Sequence, residues 1–419
     1  MAYQATIYRL VIMCGSDTEE DRKVLPGVVQ LWNERYAARH GAYYLPELWR
    51  PASERPADAG KTLAQAADIL VGVFWTRLDA GVPGDTHAAD DAEEFAHGQG
   101  RLLFFLLNKP VSPDRLDIEQ FRRLTEGETP EIVGRCVTCV ACNQFCDKGA
   151  NPFDLILKRQ EETGVLNIPE QNTEMFRNLP KTPSQVVEGE PGKPTLSLCS
   201  VGDFIPGLFE GPLFEGLTLL KGGDYFCNVG WVHLGFETPV REGARRVVEN
   251  LAATGAEEIV FYHDDCYALL ASMVKEYGIE VPFRPVHIIE YLLDYVKAHR
   301  EEVKPLGIKV AYQQPCASRY TPWKDGQLDE LFGLIGVDRV AREHDRRFAL
   351  CCGSPMMPRD RDKAMEIKKR NIDDAVEHGA QAMAYLCPLC VLNLRKPADA
   401  AGLENYHIIE LVKKALAYE

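Results

Sequence analysis

The chain has no apolar run long enough to cross a bilayer. Its longest runs, such as Leu102 to Leu107, fall far short of the roughly 20 residues that a spanning helix needs. The N-terminus, Met1-Ala2-Tyr3-Gln4-Ala5, lacks a basic segment followed by an apolar one, so no secretory signal is expected. Positive charge is in deficit: 47 Lys and Arg against 62 Asp and Glu leave a net charge of −15. A phosphate backbone is bound chiefly by cations, so nucleic acid is not an expected partner. There is no G-x-G-x-x-G fingerprint and no flavin motif, so electrons are expected to arrive from another subunit. The remainder is an ordinary globular composition, 46% hydrophobic and 26% charged. At 419 residues it has room for two to four domains. A cytoplasmic location is expected.

Cysteine is where the sequence departs from the ordinary. Thirteen cysteines in a long chain of this kind favour metal over disulfides. Five form three clusters: Cys316, then Cys351-Cys352-Gly353-Ser354-Pro355, then Cys387-Pro388-Leu389-Cys390. A C-x-x-C at a turn holds two sulfurs at the bite that iron or zinc needs. An adjacent Cys-Cys on a strand would point its sulfurs to opposite faces, so a turn through Gly353 and Pro355 must gather them. Buried structural thiols or a disulfide pair are the alternative. These residues resemble the cysteine-rich CCG domain of the heterodisulfide reductase B subunit and of glycolate oxidase iron-sulfur subunits. The resemblance implies an iron-sulfur cluster, in the best-understood members a non-cubane 4Fe-4S cluster on Cys316, Cys351, Cys352, Cys387 and Cys390.

A second run reads Cys136-x2-Cys139-x2-Cys142-x3-Cys146, the spacing of bacterial ferredoxins and of a cubane 4Fe-4S cluster. Asp147 stands where proline usually follows. In two-cluster ferredoxins the fourth cysteine serves the other cluster, and no second run is present. Cys136, Cys139 and Cys142 are therefore firmer ligands than Cys146, and zinc is the alternative metal. The segment resembles the heterodisulfide reductase C subunit, which carries two such runs. Asn151-Pro152-Phe153-Asp154 then opens a helix to about Thr163, with Asn151 as its cap.

Residues 1–126 read as an α/β unit with a parallel sheet: strands at Ile7–Met13, Ala66–Trp75 and Leu102–Leu107, a helix at Asp17–Arg39, a short helix before Ala66 and one ending at Glu93–Gly98. Ile12-Met13-Cys14-Gly15-Ser16-Asp17 and the stretch Ala67 to Leu78 resemble a TIR-like family related to nucleoside deoxyribosyltransferases. In those relatives a Glu acts on a ribosyl centre. Asp90 and Asp91 stand at the aligned positions here, each one methylene shorter, or else they are the solvated first turn of a helix. Little or no NAD cleavage is expected. Cys14 reads as a packing residue.

Residues 166–194 carry five prolines and little periodicity, and read as a surface linker. Beyond it lies a degenerate tandem repeat. Shifted by 124 positions, Cys351 falls on Cys227, Cys352 on Asn228, Cys387 on His263 and Cys390 on Cys266. Each copy has a helix (Arg241–Thr254, Arg361–His378) and a short strand (Glu258–His263, Ala382–Cys387) in matching places. Cys199, Cys227, His263 and Cys266 are left as a first-copy donor set that could hold zinc, an altered cluster or nothing.

The expected fold class is α/β: a TIR-like parallel-sheet domain at 1–126, a small helical ferredoxin-like segment at 127–165, the linker at 166–194, a degenerate CCG repeat at 195–300 and a complete one at 301–419. The Cys136–Cys146 cluster is expected to belong to a separately folded unit. The expected function is an iron-sulfur electron-transfer subunit of a heterodisulfide-reductase-like oxidoreductase, fed by a flavin- or iron-sulfur-containing partner subunit. The competing readings are a TIR-like nucleotide- or NAD-handling signalling protein with an iron-sulfur redox sensor, and a scaffold with structural zinc.

Overall fold

The computed structural model describes residues 4–14, 19–49, 67–74, 102–107, 123–146 and 151–418. The helix expected before Ala66, the one ending at Glu93–Gly98, the acidic pair Asp90 and Asp91, the stretch Trp75 to Leu78, and Asp147 all lie outside these residues. The chain divides into two compact units, Met1–Glu128 and Thr129–Glu419.

In the first unit β1 (Thr6–Cys14) is followed by α1 (Glu19–His40), β2 (Ala42–Leu48), β3 (Ile69–Phe74) and β4 (Leu102–Leu107). They form one parallel sheet in the order β2-β1-β3-β4. Strand β2 is absent from the sequence reading. Its stretch, Ala42-Tyr-Tyr-Leu-Pro-Glu-Leu48, shows no alternation and contains Pro46, which an edge strand tolerates because its free side needs no donor. Ile12, Cys14, Leu25 and Val73 pack together, so Cys14 is a core residue here.

In the second unit the metal-pattern segment folds into α2 (Ala141–Phe145) and α3 (Pro152–Thr163). Asn151 does not cap α3; it sits at φ 45° with no side-chain cap bond. The role falls to Asn143, whose Oδ1 accepts from the Phe153 N–H at 2.8 Å. The expected linker is also ordered. It contains α4 (Glu170–Asn178) and β5 (Gln185–Val187), which pairs antiparallel with β7 (Thr218–Lys221). Phe176 of α4 packs on Trp231, ring centroids 5.8 Å apart, and lies so close to Gly230 that a Cβ there would meet it at 2.2 Å. A short polar helix carrying one buried aromatic leaves almost no periodic signal.

The repeat is plain in the sheets. The first copy contains β6 (Thr195–Cys199), β7, α5 (Thr238–Ala252), β8 (Glu258–Phe261), α6 (Asp264–Ala268), β9 (Arg284–His287) and α7 (Ile288–Ala298). The second contains β10 (Ile308–Gln313), α8 (Lys324–Ile335), β11 (Val337–Arg339), α9 (Arg361–Glu377), β12 (Ala382–Tyr385), α10 (Pro388–Ala400), β13 (Glu404–His407) and α11 (Ile408–Ala415). Their parallel orders correspond: β7-β6-β8-β9 and β11-β10-β12-β13. Every residue of β6 and of β12 is buried, as central strands covered on both faces require. Helices α7 and α11 start alike: His287 and His407 accept at Nδ1 from the N–H two residues on, at 3.1 and 3.2 Å.

Five separate segments are not what this fold presents. Residues 129–419 pack as one compact unit, and the ferredoxin-like segment is built into it rather than folded apart. Among the described residues no helix is long and apolar enough to cross a membrane.

Candidate metal centre

The cysteines gather at the carboxyl ends of the parallel strands, where open α/β sheets place ligands. Cys199 ends β6, and Cys316 follows β10. Cys387 stands two residues past β12 and caps α10, which places Cys390 in its first turn. The Cys351-Cys352 pair turns at Gly353, whose φ is 83° and whose N–H points at the Cys351 sulfur at 3.3 Å. An added Cβ there would strike the Ala364 carbonyl at 2.8 Å, so the turn needs glycine. Cys316, Cys351, Cys352, Cys390 and Cys387 form one chain of neighbouring sulfurs in that order. Together they behave as a shared acid: mutual hydrogen bonding lowers Cys352 and raises Cys351 and Cys390.

The ferredoxin-like loop winds through two left-handed residues, Thr138 (φ 56°) and Val140 (φ 60°). A β-branched residue in this region is strained. The Thr138 N–H reaches the Cys136 sulfur at 3.3 Å. Burial raises the thiols of Cys136, Cys139 and Cys142, Cys136 to about 12. Cys139 adds to the rise at Cys136, and both add to it at Cys142. Cys146 lies half-buried just after α2. Buried thiols of this kind ionise only beside a compensating cation, so the donor chemistry fits a bound metal group.

Two arginines that sequence reasoning missed tie the two cysteine groups together. Arg319, 2% exposed, donates from Nη1 to the Cys139 carbonyl at 2.8 Å and from Nη2 to the Ala349 carbonyl. Its charge acts on Cys139 and on Cys316, and those two thiols feel each other. Arg359 donates to the Cys136 and Gly134 carbonyls at 3.0 and 2.8 Å and acts on Cys136 and Cys351. His233 of the first repeat adds a third tie: Thr138 Oγ1 donates to its carbonyl at 3.1 Å, and its Nδ1 meets the Thr138 carbonyl at 3.1 Å. Nothing in the sequence marks these residues apart from solvated ones.

The members of the expected first-copy donor set, Cys199, Cys227, His263 and Cys266, lie near one another. Cys199 and Cys266 approach to 3.8 Å between sulfurs, with Cys227 beside Cys266. That spacing is close to the edge of a tetrahedron built on metal–sulfur bonds of about 2.3 Å. His263 acts on Cys387 of the second copy as well as on Cys199 of its own. Among the described residues no three His, Cys, Asp or Glu side chains converge on one point as a single ion requires. Thiolates around a multi-iron cluster stand further apart than those around one ion.

A cavity of about 430 Å³ opens onto the second-repeat cysteines. Cys316, Cys352, Cys387 and Cys390 line one part, Met175 and Phe176 of α4 another.

Residues 310–395 match the family model described as the cysteine-rich CCG domain. The chain is 30% identical, over 46% of its length and 49% of the relative's, to the D subunit of the dihydromethanophenazine:CoB–CoM heterodisulfide reductase of Methanosarcina barkeri. It is 20% identical, over 72% of its length and 43% of the relative's, to a probable iron-sulfur-binding oxidoreductase of Bacillus subtilis. The chain spans about half the length of the curated relatives it matches. Among solved structures, a hypothetical protein from Helicobacter pylori aligns with a TM-score of 0.46 and 13% identity, over 72% of this chain and 67% of that one. None of these matches supports the TIR-like reading of residues 1–126.

Proposed function

We propose that this chain is an iron-sulfur redox subunit of a heterodisulfide-reductase-like oxidoreductase. In this reading Cys136, Cys139 and Cys142, with Cys146 as the fourth candidate, hold a cubane 4Fe-4S cluster. Cys316, Cys351, Cys352, Cys387 and Cys390 hold a second cluster of the CCG type. When bound, such clusters supply single-electron transfer at potentials set by burial, charge and hydrogen bonds to sulfur. Electrons would come from a flavin- or iron-sulfur-containing partner subunit. The acceptor is a disulfide or a group of similar reactivity; for a disulfide, two electrons and two protons cleave the S–S bond to give two thiols.

The observation that carries this reading is the sharing of Arg319. One buried guanidinium serves Cys139 of the first cysteine group and Cys316 of the second, which supports direct passage of electrons between the two centres. The guanidinium also offsets negative charge that neither group could otherwise bury. The role of the protein beyond that is to bind, orient and keep water from the sulfurs, which are all buried or half-buried. The CCG match at 310–395 and the two iron-sulfur and heterodisulfide reductase relatives support the same class.

Anaerobic preparation of the full chain with iron and acid-labile sulfide analysis is the test. About eight irons per chain are expected from two four-iron clusters. Zinc without labile sulfide would sink the reading.

A further inference from the structure

The cavity of about 430 Å³ is within the range of small-molecule sites, and its lining is of two kinds. Cysteines of the second repeat line one part, where the proposed metal group belongs. Asn172, Met175 and Phe176 of α4, with Leu234 and Met357, line the other. None of these five is a thiolate, imidazole or carboxylate, the usual protein donors to iron.

Asn172, Met175 and Phe176 fall at i, i+3 and i+4, which sets them on one face of α4. Met175 and Phe176 are the two large apolar side chains of this polar helix. Phe176 anchors the face: it is 9% exposed, and its ring packs on Trp231 over Gly230. Met175 lines the cavity yet is 42% exposed, which places it at the rim.

The cavity offers nothing to an anion. Among the described residues no Lys or Arg lines it, while Asp265 does. His233 is the basic group of the lining, and its Nε2 stands 4.0 Å from the Asp265 Oδ1, so the pair is at most neutral. Arg319 and Arg359 direct their guanidinium N–H groups to the carbonyls of Cys139, Ala349, Cys136 and Gly134. A carboxylate, sulfonate or phosphate brought here would lose its water and gain no cation.

We propose that this cavity is the acceptor site and that it selects a small, uncharged, largely apolar disulfide. Its hydrocarbon groups lie against Met175, Leu234 and Met357, and its sulfurs face the cysteine-lined part. Asn172 and Ser354 supply the few polar contacts that orient a ligand in such a site. Met175, flexible and polarisable, sets the preference at the rim. The reaction is the one given above, with two electrons and two protons cleaving the S–S bond to two thiols. The proposal rests on the iron-sulfur reading and adds the chemical class of what that centre reduces.

The test is calorimetric binding to the oxidised, anaerobically prepared full chain, so that the probes are not consumed. The probes are dipropyl disulfide, which is uncharged, and dithiodipropionate, a dianion of similar length. Wild type should bind the uncharged probe at least about tenfold more tightly. Met175→Lys should weaken it roughly fivefold and tighten the dianion by a similar factor, with iron and sulfide unchanged. Met357→Lys should shift the preference the same way. Glu174→Lys, at an exposed α4 position outside the cavity lining, should leave both affinities within about twofold of wild type. Equal binding of the two probes by wild type overturns the proposal, as does binding of neither. So do affinities unchanged in Met175→Lys, or moved as far by Glu174→Lys. Loss of iron from both methionine variants also overturns it, since those side chains would then belong to the metal centre. A wild-type chain without iron and sulfide would instead sink the iron-sulfur reading, leaving the two failures distinguishable.

Discussion

The two repeats share a sheet order, a helix between their donor clusters and a histidine-capped final helix, yet they present different donors at corresponding points. The second offers Cys351, Cys352, Cys387 and Cys390; the first offers Cys227, Asn228, His263 and Cys266. The scaffold survives this change because its stability is spread over many buried apolar residues, from Leu196 and Val260 in one copy to Val310 and Met383 in the other. The donor set is not preserved in the same way, because it rests on single side chains at strand ends. A repeat can therefore change its donors by point substitution without losing its fold.

The sharpest way to break this comparison is to change one cysteine in each copy. Cys352→Ser should remove about four irons per chain, as expected for a four-iron cluster, together with the paramagnetic signal of the second repeat. Cys266→Ser should leave the iron content near that of wild type. Equal iron loss from both would make the first copy a working cluster site.

Arg319→Met sharpens the comparison at the point where the ferredoxin-like loop meets the second repeat. It leaves the Cys139 and Ala349 carbonyls without their donor and removes the positive charge between two thiol groups. A loss on the order of 3 kcal/mol is expected, because buried acceptors of a charged donor are left unpaired. The potentials of both centres should move negative together. Denaturation under anaerobic conditions, with a redox titration, reads both. A shift confined to one centre would argue against a shared counter-charge.

The smallest effect concerns what the repeats have in common. Burial lowers His287 to about 4, with Asp264 opposing, and lowers His407 to about 4, with the Leu386 carbonyl opposing. Both folded values lie below the ordinary value of about 6.5, so the unfolded chain binds more protons between those limits. The contribution of these two histidines to stability should be level above about pH 6.5 and fall as pH drops toward 4, by up to about 1.4 kcal/mol per pH unit for each. Asp264 does not blur this window: burial opposes its charge, but Lys324 at 2.7 Å and His287 hold it well below the usual carboxylate range. His407→Gln should remove its share of the slope between pH 6.5 and 5, up to about 1.4 kcal/mol per pH unit, in denaturant titrations. An unchanged slope would show that this histidine does not titrate on unfolding.

Much of this protein could be read from its residues. Strands β1, β3 and β4, helices α5 and α9, strands β8 and β12, and the two cysteine runs all carry strong local patterns. The misses have physical causes. Strand β2 lies at a sheet edge and tolerates Pro46, so alternation failed as a signal. Helix α4 is polar apart from Met175 and Phe176, and only its packing on Gly230 and Trp231 makes it part of the fold. Asn151 has the right residue type for a cap, but Asn143, eight residues earlier, makes the bond.

The sequence alone determined which side chains can bind metal, because ligand type and spacing are local properties of the chain. It also determined that the second half is a repeat, since equivalent positions keep their order whatever the fold. Only the tertiary structure decided which donors meet. It joined Cys139 to the second repeat through Arg319, packed Arg359 against the Cys136 loop, and set His263 of the first copy near Cys387 of the second. Those contacts span from 124 to more than 200 residues. Pairings at such separations depend on how whole sheets pack, and no short stretch of sequence encodes them.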